Sequence, residues 1–328
     1  MLEVILLRVM LERLLEETKV FSVTTEFYDY QVEIGWDITM RCNYSCSYCE
    51  SYNNNQPTYF KDIKIYEKAL NYLKNYLDNK KACVSILGGE PLLYKDWDKL
   101  INLIHDLDFI PKLFTNLSIS KKALERKIKT LTPKNFINVS CHLQFAKTED
   151  LIDKINLISA SGHLTGVSVL ADTRYWDQVI DLYEKLKHIE NVYVSVIKDE
   201  APSQINIASN IINYSKEQMD FINKSDSEYK PYFKTTVNNK FELFSINDFY
   251  KNNITNFKGM LCEIGQLNLN IKPNGDVYPS ACLLNYPKAV IGNLYKEDLL
   301  KPTKPIECPF NFCGCGPDMR IKKYAKNL

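Results

Sequence analysis

The sequence predicts an α/β fold in which a parallel sheet of six strands curls into a part-barrel, followed by a smaller cysteine-rich unit. Three observations carry this. Between residues 34 and 198, apolar runs of strand length alternate with stretches of helical periodicity. The residues able to do chemistry fall at the carboxyl ends of those strands, where such barrels place active sites. Beyond residue 256 the pattern changes to a hairpin surrounded by cysteines.

Residues 2–18 read as an amphipathic helix with Leu7, Met10, Leu11 and Leu14 on one stripe. Its charges interrupt it too often for a signal peptide or a membrane span. Packing on the domain's flank is the expectation, and a dimer contact the alternative. The first strand, Ile34 to Met40, runs into a loop of cysteines, and a helix carrying Ile63, Tyr66, Leu70, Leu73 and Leu77 follows. The second strand, Cys83 to Leu87, is broken by Gly88-Gly89-Glu90-Pro91, and Trp97, Leu100, Ile101 and Ile104 mark the next helix. The third, Pro111 to Phe114, ends at Thr115-Asn116. The fourth, Phe136 to His142, is followed by a helix from about Glu149 to Ser159. The fifth, Leu164 to Leu170, leads to a helix with Val179, Tyr183 and Leu186, and Val192 to Ile197 is the sixth.

Residues 199–255 read as a connector or lid with a helix near Ser215 to Ile222 and no motif. The last unit, 256–328, opens with a hairpin. Leu267–Ile271 and Val277–Tyr278 flank Pro273-Asn274-Gly275-Asp276, and Asn-Gly is a strong tight-turn signal. The expected boundaries are therefore 1–33, 34–198, 199–255 and 256–328.

With 328 residues, 45% hydrophobic and 25% charged, the composition is that of a soluble globular protein long enough for one large and one smaller unit. A net charge of +1 gives no broad footprint for nucleic acid or a membrane surface. Ten cysteines without a secretory signal point to a reducing, cytoplasmic setting and to metal use rather than disulfides. Oligomeric state is not legible.

Cys42, Cys46 and Cys49 form a C-x3-C-x2-C run on one short loop. Such thiols converge on one object, and soft thiolates select iron–sulfur clusters, zinc or copper(I). A cubane cluster wants four ligands, so three leave one iron open to a ligand from outside the protein. A structural zinc site is the bland alternative, but no partner pair lies nearby. In the tail, Cys262 and Cys282 bracket the hairpin, and Cys308, Cys313 and Cys315 follow. Five cysteines exceed the ligands of one cluster. Zinc competes more strongly there, and the spare thiol is undetermined. Cys83 and Cys141 read as core. Cys141 alternates with Ser140 and His142 and should face the helix layer.

Cys42-x3-Cys46-x2-Cys49, with aromatic Tyr48 before the last cysteine, resembles the signature of the radical SAM superfamily. Gly88-Gly89-Glu90 resembles its GGE motif after the second strand. The resemblance covers about residues 34–198 and implies a partial (β/α)6 TIM barrel. The tail is similar to the twitch or SPASM extension of many such enzymes, through Cys262, the Pro273-Asn-Gly-Asp hairpin, Cys282 and Ile291-Gly292-Asn293-Leu294. It departs downstream, where only Cys308-x4-Cys313-x-Cys315 remains, so one auxiliary cluster is expected rather than two.

The resemblance implies a 4Fe-4S cluster on Cys42, Cys46 and Cys49 that chelates S-adenosylmethionine and cleaves it reductively to a 5′-deoxyadenosyl radical. It also implies an auxiliary 4Fe-4S cluster among Cys262, Cys282, Cys308, Cys313 and Cys315, and a low-potential donor such as flavodoxin or ferredoxin. Glu90 or nearby backbone would receive the methionine ammonium, and Tyr48 would lie on the adenine side. Gly88 and Gly89 would let backbone approach the methionine, so Gly89→Val is expected to lose the cofactor while the first cluster still assembles. Asn116, Ser140, His142 and Ser168 are candidates for ribose and carboxylate contacts, with satisfied packing as the alternative. Some relatives use a thiol as hydrogen-atom donor in epimerisation, a role Cys308 fits if it is the spare one.

The implied activity is hydrogen-atom abstraction, an oxidoreductase-type or radical modification. Substrates lean to a peptide, as in the maturation of ribosomally made natural products (RiPPs), with a small metabolite the near alternative. The 33 residues before the barrel are too few for the leader-binding unit of many peptide maturases. A noncatalytic electron-transfer or metal-binding protein is the alternative from another class. It has no need of the GGE motif. RNA modification lacks a basic stripe.

Overall fold

Alternation of apolar and polar residues sets the strands, and helical stripes set the layer that covers them. The computed structural model describes residues 20–25, 30–47, 49, 60–131, 135–197, 214–228, 232–237, 240–245, 255–313, 316–319 and 321–326. The helix expected over residues 2–18 lies outside them. In chain order, β1 is Val20–Thr25 and β2 Val32–Thr39, followed by α1 (Ile63–Tyr76) and β3 (Ala82–Gly88). Then come α2 (Trp97–Asp106), β4 (Ile110–Thr115), α3 (Lys121–Ile128), β5 (Phe136–Cys141), α4 (Thr148–Ala160), β6 (Leu164–Leu170), α5 (Trp176–Leu186) and β7 (Val192–Ile197).

Strands β2 to β7 pair in parallel, each with the next in sequence. The sheet stays open rather than closing into a full barrel. One face is apolar and dry: Ile34, Trp36, Ile38, Val84, Ile86, Leu113, Val139, Val167 and Val169 are each at most 1% exposed. The helices bury matching stripes against it, such as Tyr66, Ala69, Leu70 and Leu73 of α1 and Leu100, Ile101 and Ile104 of α2. Each fully buried aliphatic side chain contributes roughly 1.5–3 kcal/mol. Cys141 belongs to this interior, 1% exposed, while Cys83, 0% exposed, alternates with Val84 and is buried on the opposite face. The other face carries Ser85, Leu87, Lys112, Phe114, Asn138 and Ser140. In β4 and β5 these alternate with the buried positions.

Helix α3 is unheralded in the sequence because its eight residues, KKALERKI, bury only Leu124, Lys127 and Ile128. It starts on a cap, with Ser120 Oγ accepting from Ala123 N at 3.3 Å.

After β7 come α6 (Lys216–Glu228), β8 (Tyr232–Val237) and β9 (Lys240–Ser245). The last two form an antiparallel hairpin inside the stretch read as a connector. The tail holds β10 (Leu261–Cys262), β11 (Asn268–Ile271), β12 (Val277–Tyr278), β13 (Ile306–Glu307), the short helix α7 (Gly316–Met319) and β14 (Lys323–Tyr324). A second, antiparallel sheet runs β13-β10-β14-β1-β8-β9.

The sequence grouped the hairpin β11–β12 with the C-terminal unit. In the structure β11 lies parallel to β2, with Leu269 beside Ile34 and Ile271 beside Trp36. It thereby extends the main sheet to eight strands, in the order β12-β11-β2-β3-β4-β5-β6-β7. Burial explains this, since Leu269 and Ile271 are each 1% exposed. The turn needs Gly275, whose φ is +95°. Asn293 braces it by donating from Nδ2 to Asn274 O at 3.1 Å and Asp276 Oδ1 at 2.9 Å.

Candidate active site

Because β2 to β5 are parallel, their carboxyl ends share one edge, and four consecutive loops meet there. The cysteine loop leaves β2. Its backbone folds back on itself, with Cys49 N donating to Cys46 O at 3.0 Å and Tyr44 N to Cys42 Sγ at 3.4 Å. From β4, Asn116 Nδ2 reaches Cys42 Sγ at 3.5 Å, and Ser118 Oγ meets Asn43 Oδ1 at 2.8 Å. Cys46 is buried, and Cys42 and Cys49 are half-buried.

The three thiols line one cavity of about 280 Å³ together with Gly88, Gly89, Asn116, Ser140 and His142. Tyr44, Leu87, Phe114 and Thr115 complete its wall. Burial pushes the His142 imidazole down to about 4, so it stands neutral at pH 7. Tyr44 packs edge-on to His142 at 6.2 Å and stacks on Phe145 at 4.9 Å. Tyr44 and Phe145 were not singled out in the sequence. An aromatic inside the C-x3-C spacer was the available signal for the first, and nothing marked the second.

Two expected contacts fall elsewhere. Ser168 pairs with Ser140 one strand further on and stands outside the cavity wall. Glu90 is 0% exposed and lies behind the wall. Its Oε1 accepts from Leu92 N at 2.9 Å and Thr115 Oγ1 at 2.8 Å, and its Oε2 from Asn116 N at 2.7 Å. Burial lifts its carboxyl above the usual carboxylate range, and these three donors pull the other way. The carboxylate is thus engaged in holding the β4 loop, where the sequence reading aimed it at a methionine ammonium. Tyr48 and Cys315 lie outside the described residues.

Gly88 and Gly89 do permit a close backbone approach, but to the chain itself. Gly89 N donates to Thr39 O at 2.8 Å and Glu90 N to Arg41 O at 2.9 Å. A Cβ on Gly88, whose φ is +130°, would stand 2.0 Å from Thr39 O, and one on Gly89 2.3 Å from Arg41 O. Bulk here displaces the start of the cysteine loop. This corrects the expectation that Gly89→Val spares the first metal site: Gly89→Val should lose loop-bound iron along with cofactor affinity. Iron analysis beside an equilibrium cofactor titration checks it, and full iron with lost affinity restores the original expectation.

The tail cysteines also gather. Cys262 sits on β10 between β13 and β14, facing Ile306 and Lys323 across the pairs. Cys308 N donates to Met260 O at 2.8 Å, and Cys313 N to Thr255 O at 2.7 Å. Cys282 opens from the turn after the hairpin, and its N donates to Asp318 Oδ2 at 2.7 Å. Cys308 acts electrostatically on Cys262 and Cys313, and those two on Cys282, so the four thiols share one neighbourhood. Burial pushes Cys262 up to about 11 and Cys313 to about 12.

Among the described residues, no three His, Cys, Asp or Glu side chains are placed to hold a single metal ion. The donor chemistry fits iron–sulfur clusters, with three thiols lining an open cavity at the barrel edge and four gathered in the tail.

An open parallel sheet with a cysteine-lined cavity at its carboxyl edge is the arrangement that the radical SAM resemblance implies. A family model described as the Radical SAM superfamily matches residues 36–197, so that stretch of the chain is a radical SAM domain. Such a domain implies a 4Fe-4S cluster and S-adenosylmethionine. Among curated relatives, the GTP 3′,8-cyclase of Nautilia profundicola is 30% identical over 112 residues, 34% of this chain and 35% of that one. The GTP 3′,8-cyclase of Psychromonas ingrahamii is 27% identical over 188 residues, 57% of this chain and 54% of that one. The chain thus spans about a third to about half the length of these relatives.

Among solved structures, Streptococcus suis SuiB bound to S-adenosylmethionine has a TM-score of 0.57 at 18% identity, covering 82% of this chain and 64% of that one. Native anSMEcpe with bound AdoMet and Cp18Cys peptide gives 0.53 at 14% identity, covering 81% and 79%. These likenesses concern the fold. Among the described residues, no helix is long and apolar enough to cross a membrane.

Proposed function

We propose that the chain is a radical SAM enzyme that cleaves S-adenosylmethionine reductively, abstracts a hydrogen atom from its substrate and carries an auxiliary iron–sulfur cluster in its tail. The observation carrying this reading is the single cavity lined by Cys42, Cys46, Cys49, Gly88, Gly89, Asn116 and His142. Bound on the three thiols, a 4Fe-4S cluster would supply the electron that breaks the sulfonium of S-adenosylmethionine.

The chain's own residues set the stage. Tyr44 N and Asn116 Nδ2 donate to Cys42 Sγ and orient that ligand. Glu90 fixes Asn116 from behind. Neutral His142 lines the cavity without adding charge. Tyr44, Leu87 and Phe114 give the wall apolar surface that limits water access. In this reading the ligands of the auxiliary cluster come from the five tail thiols, and Cys262, Cys282, Cys308 and Cys313 are the four the structure describes.

The substrate leans to a peptide. Neighbours sharing the fold were solved with the precursor peptide SuiA and the Cp18Cys peptide. A nucleotide or other small metabolite is the second reading, favoured by relatives named GTP 3′,8-cyclase and S-adenosylmethionine-dependent nucleotide dehydratase. A low-potential reductant is the implied protein partner. The deciding experiment is anaerobic reconstitution, then incubation with deuterated peptides and, separately, deuterated nucleotides. Deuterium should appear in 5′-deoxyadenosine with the true substrate class. Intact cofactor under reducing conditions would return the protein to the noncatalytic class.

A further inference from the structure

We propose that Lys323 and Asp318 set the reduction potential of the auxiliary cluster, in opposite directions, as charges built into its ligand shell. This rests on the reading that Cys262, Cys282, Cys308 and Cys313 hold an iron–sulfur cluster. Lys323 is 1% exposed. An ammonium so deep is costly unless something compensates its charge. Its Nζ donates to Asp318 O at 2.7 Å and Ile321 O at 2.9 Å and sits 4.9 Å from the centre of the Phe257 ring. Those partners orient the ammonium but carry no net charge. Lys323 stands directly opposite Cys262 in the antiparallel β10–β14 pair, so the two side chains leave the sheet on the same face.

Asp318 is 2% exposed and turns its carboxyl to the Cys282 turn. Its Oδ1 accepts from Asn268 Nδ2 at 2.7 Å and Ala281 N at 3.1 Å, and its Oδ2 from Cys282 N at 2.7 Å. It joins the Cys282 turn to β11 of the main sheet and places negative charge beside that thiol. A cluster held by four thiolates is anionic and gains a further negative charge on reduction. A buried cation beside it favours the reduced form and a buried anion the oxidised form, and the low-dielectric surroundings amplify both. Neither charge can be relocated by solvent, since both side chains are sealed from it.

The test is a spectroelectrochemical titration of the full chain, reconstituted anaerobically, with Cys42, Cys46 and Cys49 replaced by Ala so that the tail cluster alone is read. Lys323→Met should lower its midpoint potential and Asp318→Asn should raise it, while Lys323→Arg stays near the parent. Loss of a purely structural role would reduce how much cluster forms without moving the potential of what does form. If Lys323→Met assembles no cluster, the Asp318→Asn and Lys323→Arg pair still decides. Unmoved potentials, or shifts of one sign in both charge-removing variants, overturn the assignment. Zinc in place of iron and sulfide in the parent tail overturns the cluster reading and this inference with it. Iron present with fixed potentials overturns this inference alone.

Discussion

A chain in which Cys42, Cys46 and Cys49 are all replaced by Ala should form no 5′-deoxyadenosine and keep iron in its tail. The two sets of thiols stand on separate parts of the fold. The first lies on the loop after β2 and lines the cavity at the barrel edge. The second hangs on β10, the turn after the hairpin and the segment leading to α7. The tail set cannot complete the first cluster without filling the iron position that cofactor chelation would require. Unaltered protein should hold about eight irons and the loop variant about four, one cubane per occupied site. The converse variant, Cys262 and Cys282 to Ala, should retain some cofactor cleavage but yield no product. It should also be less stable, because a cluster staples a small unit much as structural zinc does. Iron content and 5′-deoxyadenosine yield, read on both variants, check these expectations. Cofactor cleavage by the loop variant would show that the wrong cysteines were assigned.

The barrel was legible because each strand and most helices carry their own period. Leu164–Leu170 and Val192–Ile197 have the bounds that alternation and flanking polar residues suggest. What escaped lacks local signal. Helix α3 is mostly charged and is held by a cap and three buried positions. The pairing of β11 with β2 joins residues more than 200 apart and is decided by burial of Leu269 and Ile271, which no local pattern reveals.

At the site, residue types were readable and their partners were not. The need of Gly88 and Gly89 for close approach follows from lacking a Cβ, yet the atoms approached, Thr39 O and Arg41 O, belong to a loop in another βα unit. Nothing in the sequence singles out Lys323 or Asp318. Only the fold reveals that both are buried against the cysteines.

Replacing Glu90 by Ala should cost roughly 3–5 kcal/mol of stability, although its carboxylate does not line the cavity. Leu92 N, Thr115 Oγ1 and Asn116 N all donate to it, and the carboxylate is sealed from water. Truncation orphans two backbone donors and one hydroxyl, and an unsatisfied buried donor costs about 1–3 kcal/mol. The hydroxyl can turn, so the two amides dominate. Glu90→Gln keeps the volume but places an amide N–H where one of those backbone donors needs an acceptor, so about 1–3 kcal/mol is expected for it. Asn116 then loosens, and with it the contact to Cys42 Sγ at 3.5 Å. Cofactor affinity should therefore fall in step with stability across the two variants. Denaturant unfolding beside an equilibrium titration of S-adenosylmethionine separates this from a direct role. Were Glu90 the group that meets the methionine ammonium, Glu90→Gln would lose affinity at unchanged stability, because a neutral amide replaces the charge while the β4 loop stays in place.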